Sequence, residues 1–237
     1  MSDILIIKNV TREGPGLLAT VLDEHKISYD VVDLSKGEQF PSLVGYKALV
    51  VLGGPDSAND TSDKMTNELA CVKQALANGM PYLGVCLGMQ VLVKAAGGNV
   101  ARGKQPQAGL VDQQGQPYTV AFTADGQKDP LLDGLKSPVR VFQLHGEVAE
   151  LNADIKLLGT EPVAPNQIVR VGTNAYGIQP HIELTDDMLR VWAAEDPDLA
   201  PIGYQTLQKQ FNGIKHDYTN TGETLLHNFL RVAGLLQ

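Results

Sequence analysis

The sequence predicts a three-layer α/β fold: a flavodoxin-like, mainly parallel sheet with helices on both faces and added antiparallel strands in the C-terminal half. Short β-branched apolar runs alternate with amphipathic helical segments up to the Gly97–Gly98 pair, which is typical of a parallel sheet. Beyond that pair, short strand-like runs follow one another with little helix between them. The length of 237 residues suits one large domain, and we expect a single domain over residues 1–237.

The first half supplies the predicted parallel strands and their helices. Residues 3–8, 28–34 and 48–52 are short apolar runs, as expected for strands buried on both faces. Residues 14–26 and 63–78 place apolar side chains every third or fourth position, which predicts helices that cover the sheet.

The next unit places a cysteine at a strand-to-helix junction. Residues 82–85 read as a fourth strand, and residues 87–96 read as a buried helix that ends at the glycine pair. Cys86 lies between them. Because ligands of such sheets bind beyond the carboxyl ends of the strands, Cys86 is predicted to lie where a ligand binds.

The second half is predicted to add strands and to close with helices. Helices are expected at 186–195 and 222–235, the latter with Thr221 or Thr224 as a capping residue. The strand-like runs are 118–122, 139–143, 155–159, 168–172 and 175–179.

Bulk properties exclude several classes of protein. A formal charge of −8, without a cluster of lysine and arginine, argues against binding to nucleic acid. No apolar run approaches the ~20 residues that cross a bilayer, and the first residues do not resemble a signal peptide, so we expect a cytoplasmic protein with no membrane partner. The two cysteines and scattered histidines give no metal-ligand spacing, and no dinucleotide or Walker loop occurs, so no metal and no cofactor are expected.

Cys86 has the sequence context of a nucleophile. It occupies a G-x-C-x-G frame with Gly84 and Gly88, which is the pattern of a tight strand-to-helix turn that exposes a side chain. The start of a helix favours the thiolate form, which is the attacking species. The alternative is a buried packing cysteine at a strand end. Cys71, in the middle of a helix and near its apolar stripe, is predicted to be a core residue.

A base, an orienting carboxylate and oxyanion donors can be assigned from other strand ends. His181 and Glu183 are two positions apart after a strand-like run, so their side chains point the same way in extended backbone. The glycine turn after the third strand makes Gly54 a candidate oxyanion donor, together with the backbone N–H of Leu87, which follows Cys86. The alternatives are an exposed histidine–carboxylate pair and a simple chain reversal.

Three segments, LGGPDS, PYLGVCLGMQ and YGIQPHIE, resemble in order and separation the signature blocks of the class I glutamine amidotransferases. The resemblance spans residues 45–190. Within this family, the chain resembles the stand-alone glutaminase domains of the GMP synthase type. It implies that Cys86 is the nucleophile, that His181 is general base and acid, and that Glu183 orients His181. It also implies that Gly54 and Leu87 hold the oxyanion.

The same resemblance implies substrate-binding residues. Gln90 matches the family glutamine that contacts the substrate, and the segment FQLHGE looks like the substrate-holding loop, with His145 and Glu147 as the matching side chains. Glu147 stands where aspartate is expected, and Gln107 stands where related members carry an acid. Taken without the resemblance, His145 is a turn histidine and Glu147 a solvated acid.

The leading hypothesis is cysteine-dependent hydrolysis of the glutamine side-chain amide through a γ-glutamyl thioester, which releases glutamate and ammonia. The ammonia would serve a partner synthetase. One alternative is hydrolysis of γ-glutamyl peptides by the same three residues, and another is a noncatalytic sensing protein of the same fold. The expected ligand is therefore a small molecule, either glutamine or a γ-glutamyl compound.

Overall fold

A computed structural model describes residues 2–236 and contains two sheets. The larger sheet has nine strands and the smaller has two. The strands in chain order are β1 (Ile4–Lys8), β2 (Tyr29–Asp33), β3 (Ala48–Val51), β4 (Tyr82–Val85), β5 (Asn99–Gly109), β6 (Thr119–Phe122), β7 (Val139–Arg140), β8 (Gln143–Glu150), β9 (Ile155–Thr160), β10 (Ile168–Val171) and β11 (Ala175–Ile178).

The large sheet joins a parallel half to an antiparallel half. Its strand order is β2-β1-β3-β4-β11-β10-β9-β6-β7, and every pairing from β2 to β11 is parallel. The pairings from β11 to β7 are antiparallel. This confirms the predicted α/β fold with antiparallel strands added by the C-terminal half. It also places β11, a late strand, directly beside β4.

Within residues 2–236, six α-helices cover the two faces of the sheet. Side chains that alternate along each strand pack against the helices on one face and then the other. Ile4 and Ile6 of β1 belong to one core cluster, and Leu5 and Ile7 belong to the other; all four are fully buried. This double burial explains the continuous apolar strands. The helices are α1 (Leu17–Glu24), α2 (Asp63–Ala77), α3 (Leu87–Ala95), α4 (Asp186–Glu195), α5 (Tyr204–Asn212) and α6 (Lys215–Val232).

Local chemistry fixes the start of two helices that flank the ligand edge of the sheet. The Ser62 hydroxyl accepts the Met65 N–H at the start of α2, and the Thr185 hydroxyl accepts the Met188 N–H at the start of α4. Acidic residues also occupy the first turn of each helix, where the helix dipole favours negative charge.

Several predicted elements are corrected by the structure. The segment FQLHGE is not a loop, because most of it lies in β8, which pairs with β5 as a separate two-stranded sheet. The predicted strand 139–143 is divided between β7 and the start of β8. Helix α6 begins at Lys215, so Thr221 and Thr224 lie inside it and cap nothing. Helix α5 was not predicted, and Cys71 is half-buried rather than a core residue.

None of the helices within residues 2–236 is long and apolar enough to cross a membrane.

Candidate active site

Cys86 occupies a tight turn between β4 and α3. Its backbone has φ 52° and ψ −109°, in a region that non-glycine residues rarely adopt, and its N–H donates to the Ile178 carbonyl at 2.8 Å. Glycines allow the close packing around it. A Cβ atom on Gly84 would lie 2.4 Å from the backbone of Gly88, and one on Gly88 would lie 2.1 Å from the Val51 oxygen. The turn therefore requires the G-x-C-x-G pattern.

His181 and Glu183 form a buried hydrogen-bonded pair after β11. His181 Nδ1 lies 2.7 Å from Glu183 Oε1, and Glu183 Oε2 accepts the Ile182 N–H at 2.8 Å. The imidazole is fully buried and the carboxylate is 1% exposed. Since a carboxylate accepts hydrogen bonds, Nδ1 carries the proton and Nε2 is left as the acceptor in the neutral ring.

Aromatic and backbone contacts fix the position of the imidazole. The Tyr218 hydroxyl of α6 donates to the His181 carbonyl at 2.9 Å, and the His181 N–H donates to the Phe142 carbonyl at 2.9 Å. The Trp192 ring packs edge-to-face on the imidazole, with ring centres 4.7 Å apart. Trp192 in turn donates to the Arg12 carbonyl at 2.9 Å. The histidine is therefore held by α4, α6 and the junction between β7 and β8 together.

Cys86 and His181 meet beside Gly53, which follows β3. A Cβ atom on Gly53 would lie 3.0 Å from His181 Cε1 and 3.3 Å from Cys86 Cβ, closer than ordinary van der Waals contact, so glycine leaves the two side chains the most room. The thiol contacts the Leu144 carbonyl, with Sγ 3.5 Å from the oxygen. His181 Nε2 has no hydrogen-bond partner among the described residues. The imidazole is thus free to accept the thiol proton once Sγ turns toward it.

The electrostatics around His181 favour its charged form. Burial lowers the pKa of His181, but the Glu183 carboxylate and the adjacent Cys86 side chain raise it by more, so the pKa lies well above the ordinary value of 6.5. An imidazolium is the partner that a thiolate needs. The pair can therefore store the proton on nitrogen and the negative charge on sulfur.

A cavity of about 500 Å³ opens above Cys86. We call it the Cys86 cavity. Five of the sequence-predicted site residues line it: Gly54, Cys86, Gln90, His145 and Glu147. His181, Glu183 and Leu87 are buried directly behind its wall rather than on it. The structure therefore brings all eight predicted residues to one edge of the sheet.

The predicted substrate-binding side chains form one polar wall. Gln90 Nε2 donates to the Glu147 carbonyl at 3.2 Å and to Gln179 Oε1 at 3.2 Å. His145 Nδ1 lies 3.0 Å from the Glu147 carbonyl oxygen, and burial lowers the pKa of His145 to about 4. His145 is therefore neutral near pH 7. The Glu147 carboxylate accepts a hydrogen bond from the Ser57 hydroxyl, which lies 2.8 Å from Oε2.

The two predicted oxyanion donors both lie close to Cys86: Leu87 follows it in the chain, and Gly54 lines the same cavity. Leu87 is the first residue of α3, where backbone N–H groups have no partner within the helix. Gly54 packs against Asn9, since a Cβ atom on Gly54 would lie 2.6 Å from Asn9 Cβ. The Asn9 amide donates to Glu68 Oε1 at 2.9 Å and to the Leu52 carbonyl at 3.3 Å, which supports the glycine turn from behind.

Several residues of this site were not predicted from the sequence, among them Arg12, Glu13, Gly53 and Ser57. Arg12 and Glu13 lie in the loop between β1 and α1, and the carboxyl end of β1 lies at the same sheet edge as those of β3 and β4, so their position after a strand was the available signal. Gln107 also lies near the site, opposite His145 in the β5–β8 pair. It is 1% exposed, and neither side-chain amide atom has a partner within residues 2–236.

No group of three or more metal-ligating side chains occurs in the part of the chain that the structure describes.

Comparison with known proteins gives one consistent result. The model of the family described as glutamine amidotransferase class-I matches residues 16–188. A glutamine amidotransferase-like protein of Salmonella typhimurium is 29% identical over 150 residues, which are 61% of this chain and 60% of that protein. One subunit of a glutamine-hydrolysing GMP synthase, from Saccharolobus solfataricus, is 29% identical over 182 residues, 76% of this chain and 82% of that protein.

Among solved structures, a glutamine amidotransferase of Thermotoga maritima superposes with a TM-score of 0.84 at 25% sequence identity, over 97% of each chain. The likeness therefore extends across both halves of the sheet, including the antiparallel strands and the helices that follow the family match.

Proposed function

The chain belongs to the class I glutamine amidotransferase family, and from this premise we propose that it hydrolyses the side-chain amide of glutamine with Cys86, His181 and Glu183. One observation carries the proposal: Cys86 and His181 face each other across the missing side chain of Gly53, with Glu183 on the far imidazole nitrogen. That order of thiol, imidazole and carboxylate is the one that activates a nucleophile.

The first half of the reaction breaks the amide. His181 Nε2 takes the Cys86 proton, and the thiolate attacks the γ-carbonyl carbon of glutamine. The carbonyl oxygen becomes an oxyanion that the N–H groups of Gly54 and Leu87 stabilise. His181 then returns its proton to the amide nitrogen, the C–N bond breaks, ammonia leaves, and a γ-glutamyl thioester remains on Cys86.

The second half regenerates the thiol. His181 removes a proton from a water molecule, and the resulting hydroxide attacks the thioester carbonyl. The C–S bond breaks, glutamate leaves, and the sulfur regains the proton from His181. Glu183 keeps the imidazole in the tautomer that both halves need and stabilises its charged form.

Gln90, His145 and Glu147 would hold the amino-acid end of the substrate. They line the Cys86 cavity on the β8 side and present acceptors and a neutral imidazole. The Glu147 carboxylate suits an α-ammonium group, since a charged donor strengthens such a hydrogen bond.

The ammonia would be used by a separate synthetase. The Saccharolobus relative is named as one subunit of a glutamine-hydrolysing synthase, and this chain matches most of that protein. We infer that the ammonia released here passes to a bound partner that activates an acceptor. Co-purification of a tagged chain with an ATP-consuming enzyme, and a rise in glutaminase rate on mixing the two, would support this.

A second candidate, hydrolysis of γ-glutamyl peptides, is favoured by the size of the Cys86 cavity. Its volume of about 500 Å³ lies in the range of sites that hold drug-sized ligands, which exceeds what free glutamine needs. The same three residues would release an amine or peptide in place of ammonia.

The test measures glutamate release from glutamine and from γ-glutamyl peptides by wild type, Cys86→Ala and Cys71→Ala. Removal of the nucleophile is expected to lower the rate at least ~10³-fold. The matched control, Cys71→Ala, removes the thiol in α2 and is expected to keep the wild-type rate. A wild-type rate that survives Cys86→Ala would end the proposal, and preference for the peptides would select the second candidate.

A further inference from the structure

Glu13 is a buried carboxyl group at the Cys86 cavity that the proposed mechanism leaves unused. It lies between β1 and α1, is 3% exposed, and lines the cavity. Its Oε2 atom has no hydrogen-bond partner among the described residues. The Arg12 guanidinium lies 2.6 Å from Asp196 Oδ2 and 4.0 Å from Glu13 Oε1. A buried carboxyl oxygen without a hydrogen-bond partner is costly and calls for a ligand.

The position of the Glu13 carboxyl relates it to the reacting atoms. A Cβ atom on Gly53 would lie 2.2 Å from Glu13 Oε2, 3.0 Å from His181 Cε1 and 3.3 Å from Cys86 Cβ. The carboxyl oxygen, the imidazole edge and the nucleophile therefore surround one glycine. Burial raises the pKa of Glu13, and the facing charges of His181, Glu183, Arg12 and Asp196 act on it as well.

We propose that Glu13 accepts a hydrogen bond from the leaving nitrogen of the substrate and is a further catalytic residue for γ-carboxamides. The inference rests on the proposed function. To be cleaved, the amide nitrogen must come within reach of the Cys86 sulfur and His181 Nε2, and the side chains that carry these atoms surround Gly53 together with Glu13 Oε2. An amide NH₂ or NH group there brings a hydrogen that needs an acceptor, and Glu13 Oε2 supplies it.

Such a contact has a chemical consequence for specificity. An oxygen leaving group, as in a γ-ester of glutamate, has no hydrogen for Glu13 to accept, so the ester gains nothing from the carboxyl group. Glu13 is thus expected to select carboxamides over esters at the step that forms the thioester. A role limited to packing would affect both substrates alike.

The experiment compares kcat/KM for glutamine and for glutamate γ-methyl ester, because this ratio reports thioester formation for each substrate. Glu13→Met keeps the side-chain length and removes both oxygens, and Glu13→Gln keeps one acceptor oxygen. We expect Glu13→Met to lower kcat/KM for glutamine roughly 10- to 100-fold, because a buried N–H group of the substrate is left without an acceptor. We expect kcat/KM for the ester to change less than ~threefold in Glu13→Met. For glutamine, kcat/KM of Glu13→Gln should lie between the values of wild type and Glu13→Met.

Controls separate this proposal from the one it rests on. Glu24→Gln neutralises an exposed carboxylate at the end of α1, outside the lining of the Cys86 cavity, and is expected to leave the turnover of both substrates unchanged. An equal loss of kcat/KM on both substrates, or no loss on glutamine, would overturn the role of Glu13. The proposed function would still stand in that case if Cys86→Ala is inactive. Wild type that turns over neither substrate would overturn both. Thermal unfolding of each variant checks that the fold is retained.

Discussion

Glu68 offers a direct test of the electrostatics behind the glycine turn at Gly54. This glutamate of α2 is fully buried, and one oxygen accepts the Asn9 amide at 2.9 Å while the other has no partner among the described residues. Burial raises the pKa of Glu68 from 4.5 to about 7, although the Asn9 hydrogen bond and the charge of Lys64 oppose the rise. The substitution to test is Glu68→Gln.

The sign follows from proton binding. Between pH 4.5 and about 7 the folded protein retains a proton that the unfolded chain has lost, so the free energy of unfolding falls as pH rises through this window. At 1.36 kcal/mol per pKa unit, the wild type loses about 3 kcal/mol by pH 8. Glutamine stays neutral and keeps an oxygen for Asn9, so Glu68→Gln should escape this loss.

Urea denaturation of wild type and Glu68→Gln at pH 5, 6, 7 and 8 measures the difference. The variant is expected to gain stability over wild type as pH rises, reaching about 3 kcal/mol at pH 8. Glu195→Gln makes the same change on an exposed residue of α4 and should show no such trend. A gain that is absent at pH 8, or equal at pH 5 and pH 8, would refute the reasoning.

Two further predictions concern the reacting residues. Gly53→Ala puts a methyl group 2.2 Å from Glu13 Oε2 and 3.0 Å from His181 Cε1, so the imidazole must shift by a few tenths of an ångström. Because a misplacement of about 1 Å can cost ~100-fold, this smaller shift should lower kcat about tenfold, and a glutaminase assay showing near wild-type kcat would contradict this. Glu183→Gln keeps the shape but removes the charge and the tautomer control on His181 Nδ1, so kcat should fall at least ~10³-fold, with circular dichroism to check folding; a loss below ~tenfold would mean that Glu183 does not act through His181.

The parallel half of the fold was predictable because strands that are buried on both faces appear in the sequence as continuous apolar runs. The strands β1, β3 and β4 are apolar at every position or nearly so. The predicted site residues followed from the same rule, since Cys86, Gly54 and His181 each come shortly after a strand of the sheet.

The elements that were not predicted from the sequence form because of tertiary contacts. Strand β5 contains exposed, charged and proline positions, and its register with β8 shifts between Arg102 and Gln107. Only the pairing with β8 makes it a strand. Helix α5 buries just Leu207 and Phe211, and the first turns of α6 bury only Tyr218, so their apolar stripes were too sparse to be read.

The structure also shows why Glu13 could not be singled out from sequence. Its neighbours in the chain are a charged residue and a glycine, as in an ordinary surface loop. Its burial comes from Gly53 and His181, which are distant in sequence. A carboxylate outside any local motif can be assigned a role only from its position in the folded chain.

The place of β11 between β4 and β10 has a consequence for biosynthesis. The ribosome completes β4 long before it makes β11, so a growing chain carries an unpaired apolar strand edge that can join with other chains. His181 follows β11, which means that the Cys86 thiol of a nascent chain stays without its proposed base until β11 has been made.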